Sequence, residues 1–180
     1  MFKYFILNEI MRRRSTAYNI LGTTGSFMAA IGKGVVAGLV GTAVMTLAQT
    51  IEMKINKREG SDTPAEGAKK VLDVEPVTDD KKDKLNTLVH WSYGSSWGVA
   101  RGIIAEAGLK SWPGSAVHFA MVWGTALWML PYLKLSPPPT KWGGDQLAKD
   151  AFYHALYATT TGFVYDFIDH PLVKLYDSKR

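Results

Sequence analysis

The chain has 180 residues, 47% of them hydrophobic, a formal net charge of +5 and no cysteine. The missing Cys removes disulfides, thiol nucleophiles and thiolate metal sites at once, and so small and dispersed a positive charge lacks the basic stripe that nucleic-acid binding needs, while fitting contact with anionic lipid. The composition hides a partition: charges crowd into residues 1–14, 52–84, 134–150 and 166–180, and four intervening stretches carry almost none, the layout of a membrane protein with polar loops.

At the N-terminus, Phe2, Phe5, Ile6 and Ile10 stand at helical spacing ahead of Arg12, Arg13 and Arg14. The segment is too short to span and lacks the order of a signal peptide, so residues 1–14 are predicted to form an amphipathic interfacial helix. Ser, Thr, Gly and Asn dominate the next stretch, which predicts a loop over residues 15–33. A first span follows from about Gly34 to Met53. In it Gly34, Gly38, Thr42 and Thr46 repeat every four residues, with Ala37 and Gly41 alongside, as in helices that approach closely inside a bilayer.

Residues 54–84 carry eight basic and eight acidic side chains and belong in water. Thr63-Pro64-Ala65-Glu66 has the form of a capping box with Pro at the first helical position, predicting a short helix to about Leu72. Pro76 ends that unit, and Thr78-Asp79-Asp80 can open the next helix. The second span, about Leu85 to Leu109, aligns Gly94, Gly98 and Gly102 on one stripe while Trp91, Tyr93, Trp97 and Ile103 stand on other faces.

A turn at Lys110-Ser111-Trp112-Pro113-Gly114 leads to a third span from about Ser115 to Leu133, where Ala116, Ala120 and Gly124 form another stripe and Pro131 ends or kinks the helix. After a proline-rich loop, a fourth span from about Ala148 to Ile168 carries Ala151, Ala155, Ala158 and Gly162. The fold predicted is all-α: a polytopic membrane protein, an antiparallel bundle of four transmembrane helices over residues 34–180, with both termini on one side. The Arg12 to Arg14 cluster, undiluted by acids, argues for termini in the cytoplasm.

The Gly-rich first span, the His at the head of the second, the passage Leu130-Pro131-Tyr132-Leu133-Lys134-Leu135-Ser136-Pro137-Pro138 and the Tyr153-His154-Ala155-Leu156 run together resemble the YagU-like family of bacterial inner-membrane proteins over roughly residues 34–168. That resemblance implies a bacterial inner-membrane location with a cytoplasmic N-terminus, and no assigned activity.

Two motifs mimic soluble enzymes. Gly94-Ser95-Ser96-Trp97-Gly98 fits G-x-S-x-G, but no strand precedes it and its end glycines belong to the packing stripe. Gly32-Lys33-Gly34-Val35-Val36-Ala37, with Glu52 some twenty residues on, imitates a dinucleotide fingerprint inside one continuous helical pattern. The chain therefore reads as a non-enzyme without a cofactor.

The intramembrane polar residues are the remaining site candidates. His90, His154 and Glu52 fall at one level of an antiparallel bundle, and Arg101 and Asp166 form a second level roughly 16–18 Å deeper, joined by His118. Charges at such depth cost about 2.5–3.5 kcal/mol each, so an Arg101–Asp166 ion pair is predicted. The same layers suit a proton or ion path, and His90 and His154, with or without Glu52, are the residues that could ligate a haem or metal. Two functions remain open: a structural or accessory membrane protein that packs within itself, against copies or in a larger complex, and a small transporter or proton conductor using the His, Arg and Asp groups.

Overall fold

The computed structural model describes residues 2–75 and 78–170, with side chains from Thr24 onward. Five α-helices follow one another: α1 Phe2–Asn56, α2 Thr63–Leu72, α3 Asp79–Glu106, α4 Ser111–Tyr132 and α5 Gly144–Ile168, with a single 3-10 turn at Pro139–Lys141. Among the described residues there is no strand.

The N-terminal third departs from expectation. A loop over 15–33 does not form; α1 is one helix of 55 residues, about 82 Å long. No proline interrupts residues 1–56, and the Ser and Thr residues that suggest a loop lie among Ala, Leu, Ile, Phe and Met. Hydroxyls in such a helix bond back to the carbonyl four residues earlier, as Thr42, Thr46 and Thr50 do to Gly38, Thr42 and Thr46. Residues 1–14 are thus not a separate helix, and their predicted amphipathic face lies outside the described side chains.

The four long helices form an antiparallel bundle. Gly34 lies on Gly98, Gly41 on Thr161 and Gly162 on Ser115, so α1 opposes α3 and α5, and α4 opposes α5. Gly94 meets Tyr157 and Arg101 meets Asp166, so α3 and α5 run parallel. These two helices form the middle, with α1 in one groove between them and α4 in the other.

What the bundle buries is inverted relative to a water-soluble core. Its buried apolar residues are mostly alanines, and its largest fully buried side chains are Arg101, Tyr165, His118, Thr42 and Thr161. Phe27, Leu47, Ile51, Ile103, Met121, Trp128, Phe163 and Phe167 lie on the outside. Among the described residues one helical stretch, Thr24–Asn56, is long and apolar enough to cross a membrane, and only 33% of its most apolar window is buried, less than a core helix of a soluble protein would hide. By that measure α3, α4 and α5 fall short of the predicted spans, because Ser, Gly, His and Arg interrupt α3, Trp and Pro dilute α4, and Thr, Tyr and Asp dilute α5.

The predicted short helix is α2, with the same bounds, but its capping box does not form. Thr63 Oγ1 pairs with Ser61 Oγ instead. The orphan Ala65 N–H of the first turn donates to Asn86 Oδ1 at 2.9 Å, and Asn86 Nδ2 donates to Ser61 O at 3.1 Å, so α3 caps α2 from the side. Lys70 Nζ donates to the carbonyls just past the end of α4, Leu133 O at 2.6 Å and Lys134 O at 3.3 Å. Replacing Asn86 by Ala should speed hydrogen exchange at Ala65 by about tenfold, the loss of one net hydrogen bond of roughly 1–1.5 kcal/mol, while amides in the middle of α3 keep their rates.

A further clamp is ionic. The Asp62 hydrogen bond, at 2.6 Å, holds the Lys82 ammonium above its ordinary value of 10.5. A raised folded value means stability that is fully present below about pH 10.5 and lost as pH climbs through it. Spin labels on Gly60 and Asp83, beside the two partners of this clamp, should therefore hold their separation from neutral pH to about 10 and move apart above it. A separation constant to pH 12 would contradict this.

Candidate functional site

The seam between α1 and α3 is glycine against glycine. A Cβ at Gly34 would fall on the Gly98 carbonyl oxygen, one at Gly98 on Gly34 O, and one at Gly102 on Ala30 O. At Gly38 it would meet Ser95 O at 2.9 Å and Gly98 Cα at 3.0 Å. Gly94 makes room for the Thr42 side chain, and Gly41 for Thr161 and the Tyr157 ring of α5. Here backbone lies on backbone, the arrangement that small residues permit where packing rather than apolar burial joins helices. Gly124 does not take part: a Cβ there meets nothing within 4 Å, and Ala116 and Ala120 of the same stripe are exposed with it. The face that α4 buries is Gly114, Ser115, His118, Val122 and Ala126, a row centred two positions from the predicted stripe and so on the other side of the helix.

Polar side chains occupy the interior. Arg101, 0% exposed, donates from Nη2 to Asp166 Oδ1 at 2.7 Å, and its guanidinium stands 5.0 Å from the centre of the Tyr165 ring. It fits because Gly114 and Gly162 leave a slot: a Cβ at Gly114 would approach Arg101 Cζ to 3.3 Å and one at Gly162 would approach Nε to 3.5 Å. His118, also fully buried, pairs Nε2 with Trp97 O at 3.0 Å and packs against Tyr157, whose hydroxyl donates to Gly94 O at 2.5 Å. Toward the helix ends Asp169 accepts from Lys33 at 2.9 Å and from Lys110 at 3.0 Å, tying α1 and the α3–α4 turn to the end of α5.

At the opposite end the predicted layer of His90, His154 and Glu52 separates. Thr46 Oγ1 spends its proton on Thr42 O, so His90 Nε2 donates to Thr46 at 2.8 Å. His154 Nδ1 donates to Asp150 O at 2.8 Å, and Asp150 Oδ2 accepts from Trp123 Nε1 at 2.9 Å. Glu52 is held by Arg58 at 2.7 Å, Asn56 at 2.9 Å and Lys149 at 3.3 Å. His90, His154 and Glu52 therefore share an end of the bundle but not a ligand sphere. Among the described residues no three His, Asp or Glu side chains group as a metal site, which removes the basis for metal ligation by this trio.

Several residues of the interior were not singled out from sequence: Tyr157, Tyr165, Thr161, Asp150 and Asp169. Gly114 was read only as part of a turn and Gly162 only as a packing residue, although a signal for the slot existed: they stand one turn before His118 and Asp166, so a gap precedes each polar side chain on the same helix face. No protein-family model, curated protein or solved structure matches the chain.

Proposed function

We propose that the chain is an integral membrane protein of structural or accessory type, in which all four long helices cross the bilayer and pack through their glycine seam. One observation carries this reading: the interior is built of Gly, Ala, Thr, Arg and His while large apolar side chains cover the outside, which is stable in hydrocarbon and not in water. Dimensions agree. Residues 34–51 of α1, between Lys33 and Glu52, span roughly 27 Å, and residues 111–133 of α4 and its cap, free of Asp, Glu, Lys and Arg, roughly 34 Å, against a hydrocarbon core of about 30 Å. Part of the low hydropathy of α3 and α5 comes from residues that face inward, Arg101 on α3 and Thr161 on α5, and these do not meet lipid. The resemblance to YagU-like inner-membrane proteins implies the same location, with the termini in the cytoplasm. The glycine seam, backbone on backbone, suits a protein whose role is packing, and two concavities lie outside the spans, one on the first turns of α3 at Asp83, Lys84, Thr87 and Leu88 and one between α2 and Lys134 and Leu135.

The test is fractionation. Without detergent the protein is expected in the high-speed pellet of lysed cells, resistant to alkaline carbonate and released by mild detergent together with any partner subunit. Recovery in the supernatant would refute membrane residence, and recovery as a lone monomer would count against the accessory role. A second reading, proton or ion conduction, is favoured by the buried Arg101 and His118 beside Asp166. Proteoliposome flux that disappears with Asp166→Asn and His90→Gln would support it, and flux equal to that of empty liposomes would dismiss it.

A further inference from the structure

The last turn of α2 carries apolar side chains that the fold leaves uncovered. Ala65 and Ala68 are buried, but Val71 and Leu72 are 65% and 64% exposed. Contacts along α3 set the direction in which α2 runs. Asp62 pairs with Lys82 and Ala65 N bonds Asn86, one turn before His90, which meets Thr46 inside the bundle. From Asp62 onward α2 therefore descends beside α3 toward the spans, and its last turn lies deepest.

A contact with α4 sets the depth. Gly67 lies against Leu135, and Lys70 Nζ reaches Leu133 O at 2.6 Å, where the stretch 111–133 without Asp, Glu, Lys or Arg ends. Val71 stands one turn beyond Gly67 on the same face, so it shares the level of that boundary. Trp128 and Tyr132, exposed and stacked at 5.0 Å, mark the same end of α4, as the rings of an interfacial belt do. Lys134 is exposed just beyond them, at the end of a span where a long cationic side chain reaches lipid phosphates.

We propose that the last turn of α2 is seated in the headgroup layer of the bilayer, with Val71 and Leu72 against the outer ends of the acyl chains. This rests on the reading that the long helices cross a membrane, and it makes α2 a surface anchor rather than a helix lying free in water. The occupant is lipid because the turn continues the exposed apolar surface of α4 at the depth where that surface ends.

The experiment uses the full chain in vesicles of phosphatidylcholine and phosphatidylglycerol, with one nitroxide label at a time on Val71→Cys, Leu72→Cys, Lys84→Cys or Phe163→Cys. The chain has no Cys of its own, and all four sites are exposed. Relaxation by oxygen, which concentrates in lipid, is compared with relaxation by a water-soluble nickel complex. The oxygen-to-nickel ratio at Val71 and Leu72 is expected to exceed that at Lys84 by about threefold or more and to stay below that at Phe163. A ratio at Val71 and Leu72 equal to that at Lys84, with Phe163 in lipid, would overturn the proposal and leave membrane residence standing. A ratio at Phe163 as low as at Lys84 would overturn membrane residence and the proposal with it. Labels at Val71 and Leu72 shielded from both reagents would show that a second copy covers the turn, which also overturns it.

Discussion

Gly98→Ala is expected to separate α1 from α3 and to cost about 3 kcal/mol, the upper end of the overpacking range. The added Cβ would land on Gly34 O and lie 2.8 Å from both Gly38 Cα and Gly38 N. These are backbone atoms of a helix whose other side is pinned to α5 at Gly41, so no side chain can swing away to relieve the contact. Gly34→Ala should behave alike, since its Cβ would strike Gly98 O in return. Gly124→Ala is the control: it has the same chemistry on an exposed face with nothing within 4 Å, and should be neutral or gain up to about 1 kcal/mol of helix propensity. Unfolding of each variant in mixed micelles measures the difference. Equal effects at Gly98 and Gly124 would show that the glycine seam does not hold the bundle together.

That contrast also marks what could be read from the sequence. The repeats Gly34-Gly38 and Gly94-Gly98-Gly102 announce a close seam because two stripes of matching period have only each other to fill the gap. Ala116-Ala120-Gly124 has the same period and means nothing of the kind, because α4 buries Gly114, His118, Val122 and Ala126, two positions away and on the opposite side of the helix. Period alone does not say which row of a helix turns inward. The helix ends were legible where local chemistry sets them. Thr78 caps α3 by accepting from Lys81 N at 3.4 Å, and Gly108, at φ 93°, lets Leu109 N reach back to Ile104 O at the far end of that helix. The continuity of α1 was not legible, since Ser and Thr signal loops in water and are accepted by helices that bond their hydroxyls internally. The Arg101–Asp166 pair was legible from depth and parity along parallel helices. The His90, His154 and Glu52 trio was not, because equal height in a bundle leaves each ring free to face a different neighbour.

Asp166→Ala should destabilise the bundle by about 3 kcal/mol, more than any other charge removal in the chain. Arg101 is 0% exposed and its Nη2 has Asp166 as partner, so the substitution leaves a guanidinium inside the helices with no counter-charge. The Asp166 side chain is itself 31% exposed, and the access this gives to polar surroundings keeps the loss at the low end of the 3–5 kcal/mol typical of broken buried pairs. Lys110→Ala breaks a bond of similar length, 3.0 Å to Asp169, but Lys110 is 60% exposed and Asp169 keeps Lys33, so it should cost under about 1 kcal/mol. The double variant Arg101→Met, Asp166→Leu removes both charges while keeping volume in the slot between Gly114 and Gly162, and should recover most of the loss. Such a recovery would show that the pair registers α3 against α5 rather than supplying net stability. A double variant as unstable as Asp166→Ala would instead mean that Arg101 is needed for more than neutralising Asp166, through its guanidinium on the Tyr165 ring.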